Sequence, residues 1–239
     1  MRLRGEYKKY NKKQLLSIIF GFCLIPFTLT LLFLWVKREA INGIPIDVIF
    51  DNISGAWSAL LYSVLTITLI QIVTDVERKP NLLYYFRAYK RSWYNWIGVK
   101  VLLILGMLAG VTVLNILLTS LLIGIVSFAL EGPVAFVALI LGFSLHILKS
   151  FLMCIPIVCF HMLVTLSLKN STLSTIFGLV ILIVGIPIVN LSDFYFIPYN
   201  LTIAVQKPGI DLSTLGIYSM GIVVASVFLI NRNLSKEWN

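Results

Sequence analysis

Residues 134–168 read VAFVALILGFSLHILKSFLMCIPIVCFHMLVTLSL, and the parse of this run decides the fold. It carries one charged side chain, Lys149, in 35 residues. As a straight helix it would measure about 52 Å at 1.5 Å per residue, too long for one perpendicular crossing of a hydrocarbon core about 30 Å thick. Counting back from Lys169, residues 150–168 cross alone. Residues 134–148 are then a helical extension, or a re-entrant piece buried against protein on the other side. Two full spans in this run would give seven helices and reverse the later loops.

The remainder of the 239-residue chain favours the shorter count. It is 59% hydrophobic and 12% charged, with mean hydropathy +0.96. A soluble domain carries about 25% charged residues. The expectation is one all-α integral membrane domain over 1–239, with six transmembrane helices at 15–36, 54–74, 99–126, 150–168, 172–190 and 212–231. Residues 134–148 and 191–211 are expected as outer re-entrant or interfacial segments, with Tyr195 and Tyr199 suited to the membrane interface. The first apolar run exceeds the 7–15 residues of a signal-peptide core and no A-x-A site follows, so it reads as a retained helix after a basic entry helix over 1–14.

Charge placement orients these spans. Net charge is +9 and the pI about 9.5. Arg2, Arg4, Lys8, Lys9, Lys12, Lys13, Arg78, Lys79, Arg87, Lys90, Arg91, Lys100, Lys169, Arg232 and Lys236 fall on one side. Lys37, Arg38, Lys149 and Lys207 fall on or near the other. Such a bias places both termini in the cytoplasm. Basicity is therefore a topology signal here, and no nucleic-acid partner is expected.

Several chemistries lack their residues. Glu6, Glu39, Asp47, Asp51, Asp75, Glu77, Glu131, Asp193, Asp211 and Glu237 all fall in expected loops or at span ends. Ion-coupled carriers commonly place a carboxylate near the midplane. No H-E-x-x-H motif and no phosphate-binding G-x-x-x-x-G-K-[ST] loop occur. Cys23, Cys154 and Cys159 lie in apolar segments, and with His146 and His161 they show no metal-site spacing, so packing is the expectation for all of them. His146 and Lys149, at i and i+3, share a helix face near the outer mouth, where snorkelling and interfacial hydrogen bonds account for them. Gly106 and Gly110 form a G-x-x-x-G pair that permits close helix approach.

One polar stretch stands apart: residues 74–100, TDVERKPNLLYYFRAYKRSWYNWIGVK. Leu82, Phe86, Tyr89, Trp93 and Trp96 recur at steps of 4, 3, 4 and 3, a single helical stripe. Arg87, Lys90 and Arg91 fall on another face, and Pro80 suits a helix N-terminus. Residues 80–96 thus read as an amphipathic cytoplasmic helix between the second and third spans. It is an anchor on membrane lipids, a docking lever for a soluble partner, or both.

The order of basic entry helix, short outer loop, and Glu77, Arg91 and Gly98-x-Lys100 around this helix resembles the ABC-2 type transporter permeases. GEYKKYNKKQLL (5–16) resembles the family's entry helix, and FHMLVTLSLKNSTLSTIFGLVILIVG (160–185) is similar to its small permease subunits for peptide or lantibiotic export and bacteriocin immunity. After the acidic residue the family commonly carries glycine; this chain reads Glu77-Arg78-Lys79-Pro80. The resemblance implies a permease in a bacterial cell membrane, not itself an enzyme and binding no cofactor. Its partners would be an ABC ATPase dimer holding ATP and Mg, and a second permease subunit, identical or different. Glu77, Phe86, Tyr89 and Arg91 are the expected ATPase-coupling residues. A non-transporting scaffold or sensor that recruits a soluble protein through the basic helix is the alternative.

Overall fold

The computed structural model describes residues 12–36, 46–75, 93–130, 134–168, 170–191, 197–207 and 209–238. Among them there is no strand. Long helices are α1 (Lys12–Val36), α2 (Ile46–Asp75), α3 (Trp93–Leu130), α4 (Val134–Leu168) and α5 (Ser171–Leu191). A 3-10 turn at Pro198–Asn200 then leads into α6 (Leu201–Ala204), a single turn, before the last long helix, α7 (Leu212–Trp238). Helices satisfy every internal backbone group within one segment, which is what a lipid solvent demands of so apolar a chain.

Among the described residues, four helices are long and apolar enough to cross a membrane: Ile97–Ile125, Leu139–Leu168, Ser171–Leu191 and Leu212–Arg232. The protein is a multi-pass membrane protein. Helices α1 and α2 run 25 and 30 residues, with described apolar stretches at Leu15–Leu24 and Leu60–Asp75.

Helix α4 is one uninterrupted helix, so 134–148 extends it and is not re-entrant. Nothing in the run stops a helix: Gly142 stands alone, and Pro156 removes a single backbone bond inside a packed layer that tolerates it. A rod of about 52 Å must tilt or project beyond a core about 30 Å thick. Helix α2 begins at Ile46, eight positions before its expected span, and takes in Asp47 and Asp51. Helix α3 is described from Trp93, and Trp93 and Trp96 lie in the same helix as Lys100. The remainder of the expected coupling helix, and the entry-helix residues 1–11, lie outside the described residues.

Helix α4 is the axis of the bundle, packed against α2, α3 and α7 along its length and against α5 and α6 on one flank. The main core joins Leu65, Leu69 and Val73 of α2 to Ile104, Leu108 and Val111 of α3 and to Ile147, Cys154 and Met162 of α4. Lipid-facing stripes lie opposite. On α3, Val113, Leu117, Leu121 and Ile125 recur at i+4 and stay exposed. Gly106 and Gly110 are exposed too, and a Cβ at either would meet nothing within 4 Å. Among the described residues, they bring no helix close.

Two caps set the turns that follow. The Asn170 side-chain carbonyl accepts the Leu173 N–H at 3.1 Å and starts α5 immediately after α4. The Asp211 carboxylate accepts the N–H groups of Ser213 and Thr214, at 3.0 and 3.2 Å, and starts α7.

Candidate functional site

Between α5 and α7 the chain turns back into the helix layer. Tyr199, Asn200, Leu201, Thr202 and Ala204 are all fully buried against α2, α4 and α5. Tyr199 therefore does not sit at the membrane interface. Its neighbour Asn200 donates from Nδ2 to the carbonyl oxygen of Leu182 at 3.0 Å. Leu182 lies nine residues from the end of α5, or about 14 Å along the axis, close to half a hydrocarbon core. The segment thus brings polar groups to mid-depth, where irregular backbone is tolerated only when buried in protein.

The seat that receives it is built from three helices. On α2, Ser63 Oγ donates to the Tyr199 carbonyl at 2.8 Å and lies 2.7 Å from Thr202 Oγ1 of α6. Ser63 has one proton and gives it to the carbonyl, so Thr202 donates in the second bond. On α4, His161 Nδ1 is 2.7 Å from the Tyr199 hydroxyl, and the Phe160 ring stands edge-on to Tyr199 at 5.5 Å and 75°. On α5, two glycines make room. A Cβ on Gly185 would lie 2.2 Å from Asn200 Oδ1, and one on Gly178 would lie 3.0 Å from His161 Cε1. Ile67, Ile157 and Leu182 enclose the tyrosine ring.

Two buried polar atoms in this seat have no hydrogen-bond partner: His161 Nε2 and Asn200 Oδ1. Each costs about 1–3 kcal/mol when buried unpaired. An intramembrane histidine facing protein interior is a functional candidate on physical grounds alone. No protein-family model, curated protein or solved structure matches this chain. The seat stands on its own geometry.

A second polar cluster ties helix ends together. Lys100, wholly buried at the start of α3, donates from Nζ to the Val73 carbonyl near the end of α2 at 3.3 Å. A cation at a helix C-terminus also meets the negative end of its dipole. Ser171 at the start of α5 donates to the Asp75 carboxylate, and Thr175 donates to Gln71 Oε1 at 3.0 Å. Thr165 of α4 and Ser174 of α5 share a hydrogen bond of 3.0 Å. These bonds tie the ends of α2, α4 and α5 to one another and to the first turns of α3.

A third group fastens the opposite end. His146 Nδ1 bonds Gln206 Oε1, while Gln206 Nε2 donates to the His146 carbonyl at 2.8 Å and to Ser150 Oγ at 2.7 Å. Lys207 donates to the Val189 carbonyl at 3.3 Å. His146 thus holds the returning segment to α4.

Glu77, Phe86, Tyr89 and Arg91, the sequence-derived coupling residues, lie outside the described residues. Among the described residues no three His, Cys, Asp or Glu side chains come together as metal ligands. His161, weighed in the sequence only for metal, is instead the partner of Tyr199. Ser63, Tyr199, Asn200 and Thr202 carried no sequence signal for such a role. The spacing of Ser171, Ser174, Gly178 and Gly185 on α5 does mark a narrow buried face.

Proposed function

We propose that this chain is the transmembrane subunit of an ATP-driven ABC exporter, moving amphipathic or antimicrobial peptides, or similar hydrophobic molecules, out of a bacterial cell or its membrane. One observation carries the reading: buried polar bonds join the ends of α2, α3 and α5, and α2 and α3 are the helices on either side of the basic, aromatic segment 76–92 in the chain. A push on that segment reaches α2 and α3 through Lys100 and Val73, and α5 through Asp75 and Ser171. A lever of this kind suits a machine whose energy arrives from a soluble partner. The chain carries no phosphate-binding loop of its own, so ATP and Mg belong to an ATPase dimer docked on that segment. A second permease subunit completes the complex. Helices α1 and α2 serve as the first two of six spans, with both termini cytoplasmic, in keeping with the charge bias.

The test is reconstitution with the partner ATPase. The chain alone should not hydrolyse ATP, and the complex should do so while moving cargo. Phe86→Ala or Tyr89→Ala should leave the protein in the membrane, held by its flanking helices, yet lower coupled ATPase activity or loosen the partner. Glu77→Gln and Arg91→Ala should act likewise. Transport by the isolated chain on a proton or sodium gradient alone would overturn the reading.

A further inference from the structure

We propose that the mid-depth seat lined by Ser63, His161, Leu182 and Gly185 is a peptide-binding site, which residues 198–202 of the chain itself fill at rest. The inference rests on the permease reading for its physiological cargo. Its chemistry comes from the seat.

The seat recognises groups that any peptide offers. Ser63 gives its proton to a main-chain carbonyl, that of Tyr199. The Leu182 carbonyl takes an amide N–H, supplied here by Asn200. The Phe160 edge and the buried Ile67, Ile157 and Leu182 surround an aromatic ring, and His161 meets the hydroxyl at its tip. Gly185 leaves space for the side chain that follows the aromatic one. The matching ligand is an apolar peptide turn with a tyrosine-like residue followed by a primary amide or similar small polar residue.

The resident segment fits this seat incompletely. His161 Nε2 is buried and unanswered, and the resident's own Asn200 Oδ1 is buried unpaired, so a ligand with a polar group opposite His161 Nε2 and none stranded would be held better than the resident. The segment is also constructed to leave. It is a 3-10 turn and one turn of helix, so it can withdraw without unwinding any of the long helices. The same groups would then face an incoming peptide at the depth where a transporter site is wanted.

The experiment uses a photoreactive copy of residues 197–205, IPYNLTIAV, with benzoylphenylalanine in place of the tyrosine. The full chain is held in lipid nanodiscs with Cys23, Cys154 and Cys159 changed to alanine and with Ser63→Cys and Thr202→Cys added. The two hydroxyls lie 2.7 Å apart, so oxidation should lock the segment in its seat. The probe should label α4 and α5 near His161 in the reduced chain and at least tenfold less after oxidation. Asn200→Ala in the otherwise native chain, which frees the segment and spares the seat, should raise labelling severalfold. That arm needs no cysteine replacement and decides the matter should the cysteine chain fail to fold. Equal labelling in the locked and open forms, or none with Asn200→Ala, overturns the proposal. Labelling requires neither ATPase nor transport. Its failure beside intact ATP-driven export overturns the peptide site alone, and its success beside absent ATPase coupling overturns the permease reading alone.

Discussion

His161 Nδ1 and the Tyr199 hydroxyl meet at 2.7 Å although 38 positions separate them, and both side chains are wholly buried. The contact joins the longest-packed helix of the bundle to a segment that belongs to no long helix. Hydrogen bonds between buried side chains in membrane proteins contribute about 0.6 kcal/mol on average and up to about 1.7 kcal/mol.

Tyr199→Phe should therefore lower stability by about 0.6–2 kcal/mol, since it leaves both ring nitrogens of His161 unanswered. His161→Leu should cost a similar amount. The double variant should cost less than the sum, because two apolar groups then replace two paired ones. Unfolding of the purified protein by denaturant in detergent measures all three. Additive losses would show that the two side chains do not act as a pair.

The glycines make a sharper comparison. Gly185→Ala puts a methyl group 2.2 Å from Asn200 Oδ1, so the segment or the helix must shift, at about 1–3 kcal/mol for overpacking. Gly106→Ala and Gly110→Ala meet nothing within 4 Å and should be neutral or slightly stabilising, by up to about 1 kcal/mol. Thermal unfolding should rank Gly185→Ala well below the other two. The sequence points the opposite way, since Gly106 and Gly110 carry the familiar spacing while Gly178 and Gly185 stand seven apart. Spacing tells which glycines share a face but not which face meets a neighbour.

The same limit explains what was and was not legible. Hydropathy alone gives an all-helical membrane protein, because twenty apolar residues admit few other structures in lipid. Continuity of α4 past Lys149 depends on whether one cation can reach the edge of the layer, which no local rule decides. The seat is harder still. Ser63 pairs with Tyr199 and Thr202 across 136 and 139 positions, and each of these residues alone is an ordinary occupant of a membrane helix or loop.

Acid should loosen the start of α7. The Asp211 carboxyl is held well below its usual 3.8, at about 2, by hydrogen bonds from the Thr214 and Ser213 hydroxyls and from the Ser213 N–H. A depressed carboxylate pKa adds stability above the unfolded value, and that share is lost as pH falls from about 4 through about 2. Amide protection factors in residues 212–216, measured against the intrinsic exchange rate at each pH, should fall across that window, and Asp211→Ala should show the low protection already at neutral pH. A pH-independent protection factor in the native protein would remove Asp211 as the cap.

Topology tests the orientation of the whole assembly. Reporter fusions at Asn42, Asn81, Gly132, Asn170, Gly209 and Asn239 should alternate outside and inside, beginning outside and ending in the cytoplasm. The fusions at Gly132 and Asn170 bracket α4, which as one continuous helix must put them on opposite sides if it crosses. Gly209 then reports whether the return of residues 197–207 is a dip or a crossing. A cytoplasmic Gly209 would mean that the segment spans, which its single helical turn is too short to do.

Lys100 tests the lever. Its ammonium bonds the Val73 carbonyl across the gap that residues 76–92 bridge, and a buried cation has few substitutes there. Lys100→Met keeps most of the apolar stem and removes the charge and the donor, so α2 and α3 remain packed through Ile70, Val73, Leu103 and Ile104. Insertion and helix content should be unchanged, since the hydrophobic core is untouched. Coupled ATPase activity in the reconstituted complex should fall severalfold, because motion of the docked segment then reaches α2 and α3 separately. Lys100→Arg retains a donor on a comparable stem and should recover part of the loss, although a planar guanidinium fits a point-charge site poorly. The decisive comparison is between coupling and stability: a fall in both together marks Lys100 as a structural tie, whereas a fall in coupling at unchanged unfolding midpoint marks it as part of the lever.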